Sequence, residues 1–276
     1  MKHLVLLLIT TSAIAADEVR TERDVDYLGG GRAEKADLYL PAKLQPGLKF
    51  PAVLIIHGGG WSMGSKRARR EVNIGTTLAQ NGYIAMSIDY LLANEAHPGP
   101  TWPQNLHDGK TAVRWLRANA GRLQIDPARI GVIGGSAGGH LAAMVGLCGG
   151  ELDPPGEGDT RVQCAVNLYG PVLWFEQRDL DMFRKTRAEA PELYKQADPR
   201  SHIDRNDPPL LILHGTADEI VAVADSEALA AAMKAEGARY QLEIIPDAPH
   251  SFHLQPKQRD LRPLVLGFFD KHLKGK

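Results

Sequence analysis

The sequence predicts an α/β fold: a mostly parallel central sheet with helices on both faces and an N-terminal antiparallel hairpin. Three observations predict it. Short continuous apolar runs recur at residues 52–56, 84–88, 130–133, 165–168, 210–213 and 242–245, the pattern of strands buried on both faces. Helix-length segments at 67–80, 108–120, 137–147 and 225–236 separate them, and such alternation means a parallel sheet covered on both sides. Glycines cluster directly after two of the runs, at 58–60 and 134–139, where the chain must turn sharply out of a strand.

Taken in order, the chain opens with Lys2, an apolar stretch from Leu4 to Ile9 and the small-x-small pattern of Ala13 and Ala15. This is the make-up of a secretory signal peptide, so residues 1–15 are expected to be removed on export to the periplasm or the medium, leaving 16–276 as a single domain. The stretch is too short to span a bilayer, and no later run is long enough to anchor the mature protein. Residues 22–27 and 35–39 are extended runs joined by Gly29-Gly30-Gly31, a hairpin. The strand and helix segments above follow. In the last helix Ala228, Leu229, Ala232 and Met233 form an apolar stripe facing a sheet. Two connections exceed what fold economy requires. One, 90–105, carries His97, Trp102 and three prolines; the other, 171–209, carries Trp174, Phe175, Phe183 and Tyr194 and reads as a lid-like insertion.

Composition excludes several classes of function. The 276 residues are 43% apolar, which excludes a disordered chain. Thirty-two Lys and Arg against 33 Asp and Glu, with no long basic run, argue against a nucleic-acid surface. Cys148 and Cys164 flank a segment rich in Gly, Pro and Asp; after export they either close it as a disulfide or stay as two buried thiols. No Cys-x-x-Cys or Cys/His cluster suggests a metal, and no cofactor is called for. The oligomeric state is left open.

Chemistry enters with the glycines. Gly134-Gly135-Ser136-Ala137-Gly138 stands directly after an apolar strand and before a helix. A strand that turns at once into a helix holds its serine in a strained conformation and tolerates almost no side chain beside it. Upstream, His57-Gly58-Gly59-Gly60-Trp61 follows another apolar strand. Glycine there lets a carbonyl approach backbone N–H groups, the requirement of an oxyanion hole.

With these motifs the chain resembles the α/β-hydrolase superfamily, in particular its lipase/esterase branch with an HGGG motif, which includes small exported esterases acting on polysaccharide acyl groups. The likeness covers residues 52–61, 88–95, 125–141, 208–221 and 244–252. Asp89-Tyr90-Leu91-Leu92-Ala93-Asn94-Glu95 looks like the family stretch DYRLAPE, with Leu91 and Asn94 where the family has Arg and Pro. The short stretch ahead of His57 implies that the helical N-terminal cap of the hormone-sensitive-lipase branch is absent and the cleft more open.

The resemblance implies an order of Ser, acid, His along the chain. His214-Gly215-Thr216-Ala217-Asp218 matches the family's HGxxD segment, and Pro249-His250-Ser251-Phe252 matches its histidine loop. Ser136 is then the nucleophile, His250 the base and Asp218 the acid, with His253 the rival base and Asp89 the rival acid. A serine hydroxyl needs an imidazole to take its proton, and the imidazole needs a carboxylate to fix its tautomer. Gly59, Gly60 and Ala137 are expected to supply the oxyanion N–H groups, with Trp61 N–H a substitute. Trp61, Trp102 and Trp174 are expected as substrate platforms. His57, His140 and His214 read as structural, and the His250/His253 pair lacks a third metal ligand. The expected substrate is a small-molecule or polysaccharide-linked ester, such as a carbohydrate-linked acetyl or feruloyl group. An amidase or formamidase, a prolyl-oligopeptidase-like peptidase and a non-catalytic binding protein are the alternatives.

Overall fold

A computed structural model describes residues 19–44 and 47–275; the expected signal peptide, 1–15, lies outside the described residues. The chain begins with β1 (Arg20–Val25) and β2 (Ala36–Leu40), which pair antiparallel. It continues through β3 (Phe50–Ile56), α1 (Arg69–Gln80), β4 (Ile84–Ile88), α2 (Gln104–Ala118), the single turn α3 (Ala120–Leu123), β5 (Ile125–Gly135) and α4 (Ala137–Leu147). Then come β6 (Cys164–Leu168), the short α5 (Trp174–Gln177) and α6 (Pro191–Ala197), β7 (Leu210–Ala217), α7 (Val223–Ala235), β8 (Tyr240–Pro249) and α8 (Arg262–Phe269). The strands form one eight-stranded sheet in the order β1-β2-β4-β3-β5-β6-β7-β8. The hairpin meets β4 antiparallel, and every pair from β4 through β3 to β8 is parallel.

The apolar runs become central strands because both of their faces are covered. In β3, Ala52, Leu54 and Ile56 pack with α2, α4 and α7, while Val53 and Ile55 pack with α1 and α8. The two-residue period of a strand divides each run between two cores in this way. Each fully buried Leu, Ile or Val contributes about 1.5–3 kcal/mol. In α7 the buried apolar side chains are Leu229, Ala230 and Met233, with Ala228 and Ala232 only half-buried, so the helix is turned slightly from the expected stripe.

This layering decides between the two readings left open for the cysteines. Cys148 and Cys164 are not bridged: both are free and buried. Cys148, at the end of α4, belongs to the core on the α2/α4/α7 face, whereas Cys164 opens β6 with its side chain in the core on the α1/α8 face. The sheet stands between them, so closing the loop would require turning a strand over. Burial pushes both thiols up from their ordinary range, which leaves them unreactive. The insertion at 171–209, for its part, is fastened to the body. Phe175, Phe183 and Tyr194 are buried in the main core, Thr101 N–H donates to the Met182 carbonyl, and Asp225 accepts from the N–H groups of Val172 and Leu173.

Candidate active site

Because the parallel strands all run the same way, their C-terminal ends share one edge of the sheet. The loops leaving β3, β5, β7 and β8 therefore meet there, the usual place for a site in an open α/β sheet. Ser136 sits between β5 and α4 with φ of 58° and ψ of −127°, a strained conformation for a residue with a side chain. Its N–H donates to the Leu168 carbonyl and its own carbonyl accepts from His140 N–H. The turn is possible only because glycine surrounds it. A Cβ on Gly138 would lie 2.1 Å from the Ile56 carbonyl oxygen, and one on Gly134 would lie 2.0 Å from the Gly138 oxygen.

Ser136 Oγ lies 3.0 Å from His250 Nε2, and His250 Nδ1 lies 2.7 Å from Asp218 Oδ2. A carboxylate only accepts, so Nδ1 carries the proton and Nε2 presents its lone pair to the serine hydroxyl. The Asp218 side chain is fully buried, and its other oxygen accepts from the N–H groups of Ile220 and Val221. His250 reaches the serine because β8 runs on to Pro249, four residues beyond the apolar run visible in the sequence. The rivals stand elsewhere. Asp89 accepts from the backbone N–H and the ammonium of Lys66, and His253 accepts from Gln255 N–H.

Three other histidines frame the site as neutral rings. His57 donates from Nδ1 to the Gly58 carbonyl and stacks on Tyr90 with ring centroids 4.4 Å apart. His140 donates from Nε2 to the Ala197 carbonyl and accepts from Trp61 Nε1. His214 links the Val221 carbonyl to the Ser226 hydroxyl beneath the Asp218 loop. Burial pushes His57 and His140 down to about 4 and His214 below its usual range.

The glycine loop after β3 borders the same opening. Gly59 adopts φ of 117°, and a Cβ there would lie 2.1 Å from the Met63 carbonyl oxygen, so no other residue fits. The cleft, about 440 Å³, is lined by Gly58, Gly59 and Gly60, by Ser136 and His250, and by Trp174 and Ile220. Ala137 opens α4 beside Ser136 and is buried.

Of the three expected tryptophan platforms only Trp174 borders this cleft. Trp61 and Trp102 are 2% and 5% exposed and belong to the core. Trp61 donates to His140, and Trp102 donates to Gln196 of the insertion. An indole between a glycine loop and an insertion has more apolar surface to bury by packing inward than by facing water. Sequence reasoning missed Arg70 and Glu71, which line the cleft from the first turn of α1, and Tyr169, packed behind His250. The only signal for Tyr169 was an aromatic residue directly after an apolar run. Arg70 and Glu71 gave none, since charges in a first helical turn read as a solvated face.

The BD-FAE family profile matches residues 36–233. Esterase LipQ of Mycobacterium tuberculosis is 32% identical over 245 residues, 84% of this chain and 57% of that protein. The chain spans about half the length of the first curated relatives it matches, with 57%, 55% and 48% covered. Among solved structures, a truncated carbohydrate esterase from gut microbiota superposes with a TM-score of 0.80 at 26% identity, covering 95% of this chain and 99% of that one. Esterase 2 of Thermogutta terrifontis, phosphorylated by paraoxon, gives 0.71 at 29% identity with 93% and 94% covered. The same esterase with butyrate bound gives 0.71 at 28%, with 95% and 96% covered. The chain belongs to the BD-FAE family, and its fold is that of the α/β hydrolases.

Proposed function

We propose that this protein is a serine carboxylic-ester hydrolase for short acyl esters, with carbohydrate-linked acetyl and feruloyl groups the favoured substrates. The observation that carries the reading is the chain of contacts from Ser136 Oγ through His250 to Asp218, 3.0 and 2.7 Å long, at the floor of a glycine-bordered cleft. Ser136 attacks the ester carbonyl while His250 takes its proton. The imidazolium is stabilised by Asp218 and returns the proton to the leaving alcohol. N–H groups of Gly59, Gly60 and Ala137 hold the oxyanion of the tetrahedral intermediate. Water activated by His250 then releases the acid.

The names of the relatives support the substrate class. One solved neighbour is a carbohydrate esterase and another has bound butyrate. Trp174, half-buried, lines the cleft with the Arg178 guanidinium 4.0 Å over its ring, and its remaining apolar surface suits a sugar or aromatic ring. Initial rates on acetylated xylan, methyl ferulate and p-nitrophenyl esters of rising chain length test the assignment. Acetyl and feruloyl esters are expected to be turned over and long-chain esters not; a preference for long chains would overturn it. Paraoxon or a fluorophosphonate should label Ser136 and stop turnover. A chain that hydrolyses none of the panel and takes no label is not a serine hydrolase. The pattern of Lys2, the apolar stretch and Ala13-x-Ala15 supports export with cleavage after Ala15. N-terminal sequencing of the exported protein checks the cleavage point.

A further inference from the structure

We propose that Tyr169, held by Arg70, is a positioning residue for the base: its hydroxyl ties down the strained loop that carries His250. The inference rests on the esterase reading and adds to it two residues outside the Ser136/His250/Asp218 set.

The geometry starts with the loop. His250 is followed by Ser251 at φ of 63°, a left-handed conformation that a residue with a Cβ keeps only when its surroundings over-determine it. Asp218 holds the ring from one side through Nδ1. The next fixed point is the Phe252 carbonyl, two residues on, which accepts from Tyr169 Oη at 2.5 Å. The Tyr169 ring also meets the His250 ring edge to face, centroids 4.9 Å apart, and the Phe252 ring at 4.5 Å. One side chain therefore anchors the backbone beyond the base and forms the wall against which the imidazole rests.

Tyr169 is itself fixed from three directions. It follows β6 with φ of 41°, and its N–H donates to the Leu213 carbonyl of β7 at 2.7 Å. The residue before it, Leu168, accepts the N–H of Ser136. Its hydroxyl accepts from Arg70 Nη1 at 3.0 Å, while Glu71 Oε1 accepts from Nε and Nη2 of the same guanidinium. A hydroxyl that accepts from a cation is a stronger donor onward, because the two bonds polarise each other. Tyr169 thus stands where the serine turn, the strand leading to Asp218 and the histidine loop come together. A tilt of the imidazole would lengthen its bond to the serine hydroxyl without touching substrate binding, so the effect falls on kcat.

The test is Tyr169→Phe, which keeps the ring and deletes the hydroxyl, beside Tyr83→Phe as a matched control. Tyr83 also donates from a buried ring, to Asp270, but lies at the C-terminal helix away from the cleft. With p-nitrophenyl acetate, Tyr169→Phe is expected to lower kcat by about 10- to 100-fold with KM nearly unchanged. Fluorophosphonate labelling should slow in parallel, and the downfield resonance of the His250 Nδ1 proton should broaden or shift. Tyr83→Phe should lower the melting midpoint and leave all three readouts as in the parent. If Tyr169→Phe keeps the parent kcat and resonance and loses only stability, or if its loss is all in KM, the proposal is overturned. Should that variant not fold, Arg70→Lys, which leaves the hydroxyl in place and shortens its donor, is expected to lower kcat several-fold and to shift the His250 Nδ1 proton resonance, whatever its effect on KM as a cleft-lining residue; parental kcat and resonance would overturn the proposal. An inert parent enzyme, by contrast, overturns the esterase reading itself, whereas an active parent with an equally active Tyr169→Phe overturns only this inference.

Discussion

The two ends of this molecule are built on different physics. At the C-terminal edge of the sheet, Trp61, Ser136, Tyr169, Asp247 and Ser251 all take positive φ although none is glycine. At the hairpin edge the chain is held by charge: Arg23, Arg67 and the Asp24 N–H converge on Asp37, and Lys66 joins Asp24 and Asp89. Backbone strain persists only where packing and hydrogen bonds force it; among the described residues five of the eight non-glycine positions at positive φ lie where the strand ends converge, against Asp24 alone at the hairpin. The hairpin edge places nothing for chemistry; its ion pairs close around the buried Asp37 carboxylate, while the outlying pair of Glu22 with Arg122 stays at the surface and contributes little.

Substitutions at the two ends should separate these roles, and the largest effect belongs to the strained edge. Ser136→Ala is expected to lower kcat by about 10⁶-fold while the circular dichroism spectrum and melting midpoint stay near those of the parent. Retained turnover of p-nitrophenyl acetate would mean that another group is the nucleophile. Asp218→Asn should lower kcat by about 10⁴-fold, because the amide favours the wrong imidazole tautomer. Comparable loss from Asp89→Asn instead would move the acid to β4.

Acid should weaken the same edge. His57 and His140 sit at about 4 in the fold against an ordinary value of 6.5, so the unfolded chain binds more protons between those limits. Their contribution to stability is complete above pH 6.5 and is lost progressively as pH falls toward 4, by on the order of 1 kcal/mol per pH unit for each ring. Urea midpoints measured from pH 7 to 4 should fall along that window, and a flat profile would show that the rings are not held neutral. Gly138→Ala tests the close approach of α4 to β3, where the added Cβ would lie 2.1 Å from the Ile56 oxygen. A loss on the order of 1–3 kcal/mol, with a drop in kcat, is expected from thermal unfolding and rate measurements. The smallest effect belongs to the hairpin: Glu22→Ala, which removes the exposed pair with Arg122, should change stability by less than about 1 kcal/mol and activity not at all. A large loss there would erase the distinction between the two ends.

How much of this was legible beforehand depended on the range of the forces involved. The runs that became β3, β4, β6 and β7 announced themselves because a strand buried on both faces must be apolar at every position. Ser136, Asp218 and His250 could be singled out in advance because the family resemblance pointed to short motifs directly after strands, and the parallel sheet brings those strand ends together. The C-terminal helix α8 and the insertion's α5 and α6 were not legible, since short or mixed segments gain their order from the core they dock on.

The sequence by itself determined the alternating pattern, the glycines that permit two sharp turns and the three post-strand motifs that hold Ser136, Asp218 and His250. Only the tertiary structure decided which aromatic side chains face the cleft, that Cys148 and Cys164 lie on opposite sides of the sheet, and that Tyr169 and Arg70 stand behind His250. The reason is that glycine motifs and apolar runs act locally, through backbone sterics and strand period. The face a tryptophan or cysteine occupies, and the partner a tyrosine hydroxyl finds, depend on elements more than 40 residues apart in sequence, such as Tyr169 and Phe252, whose separation is 83.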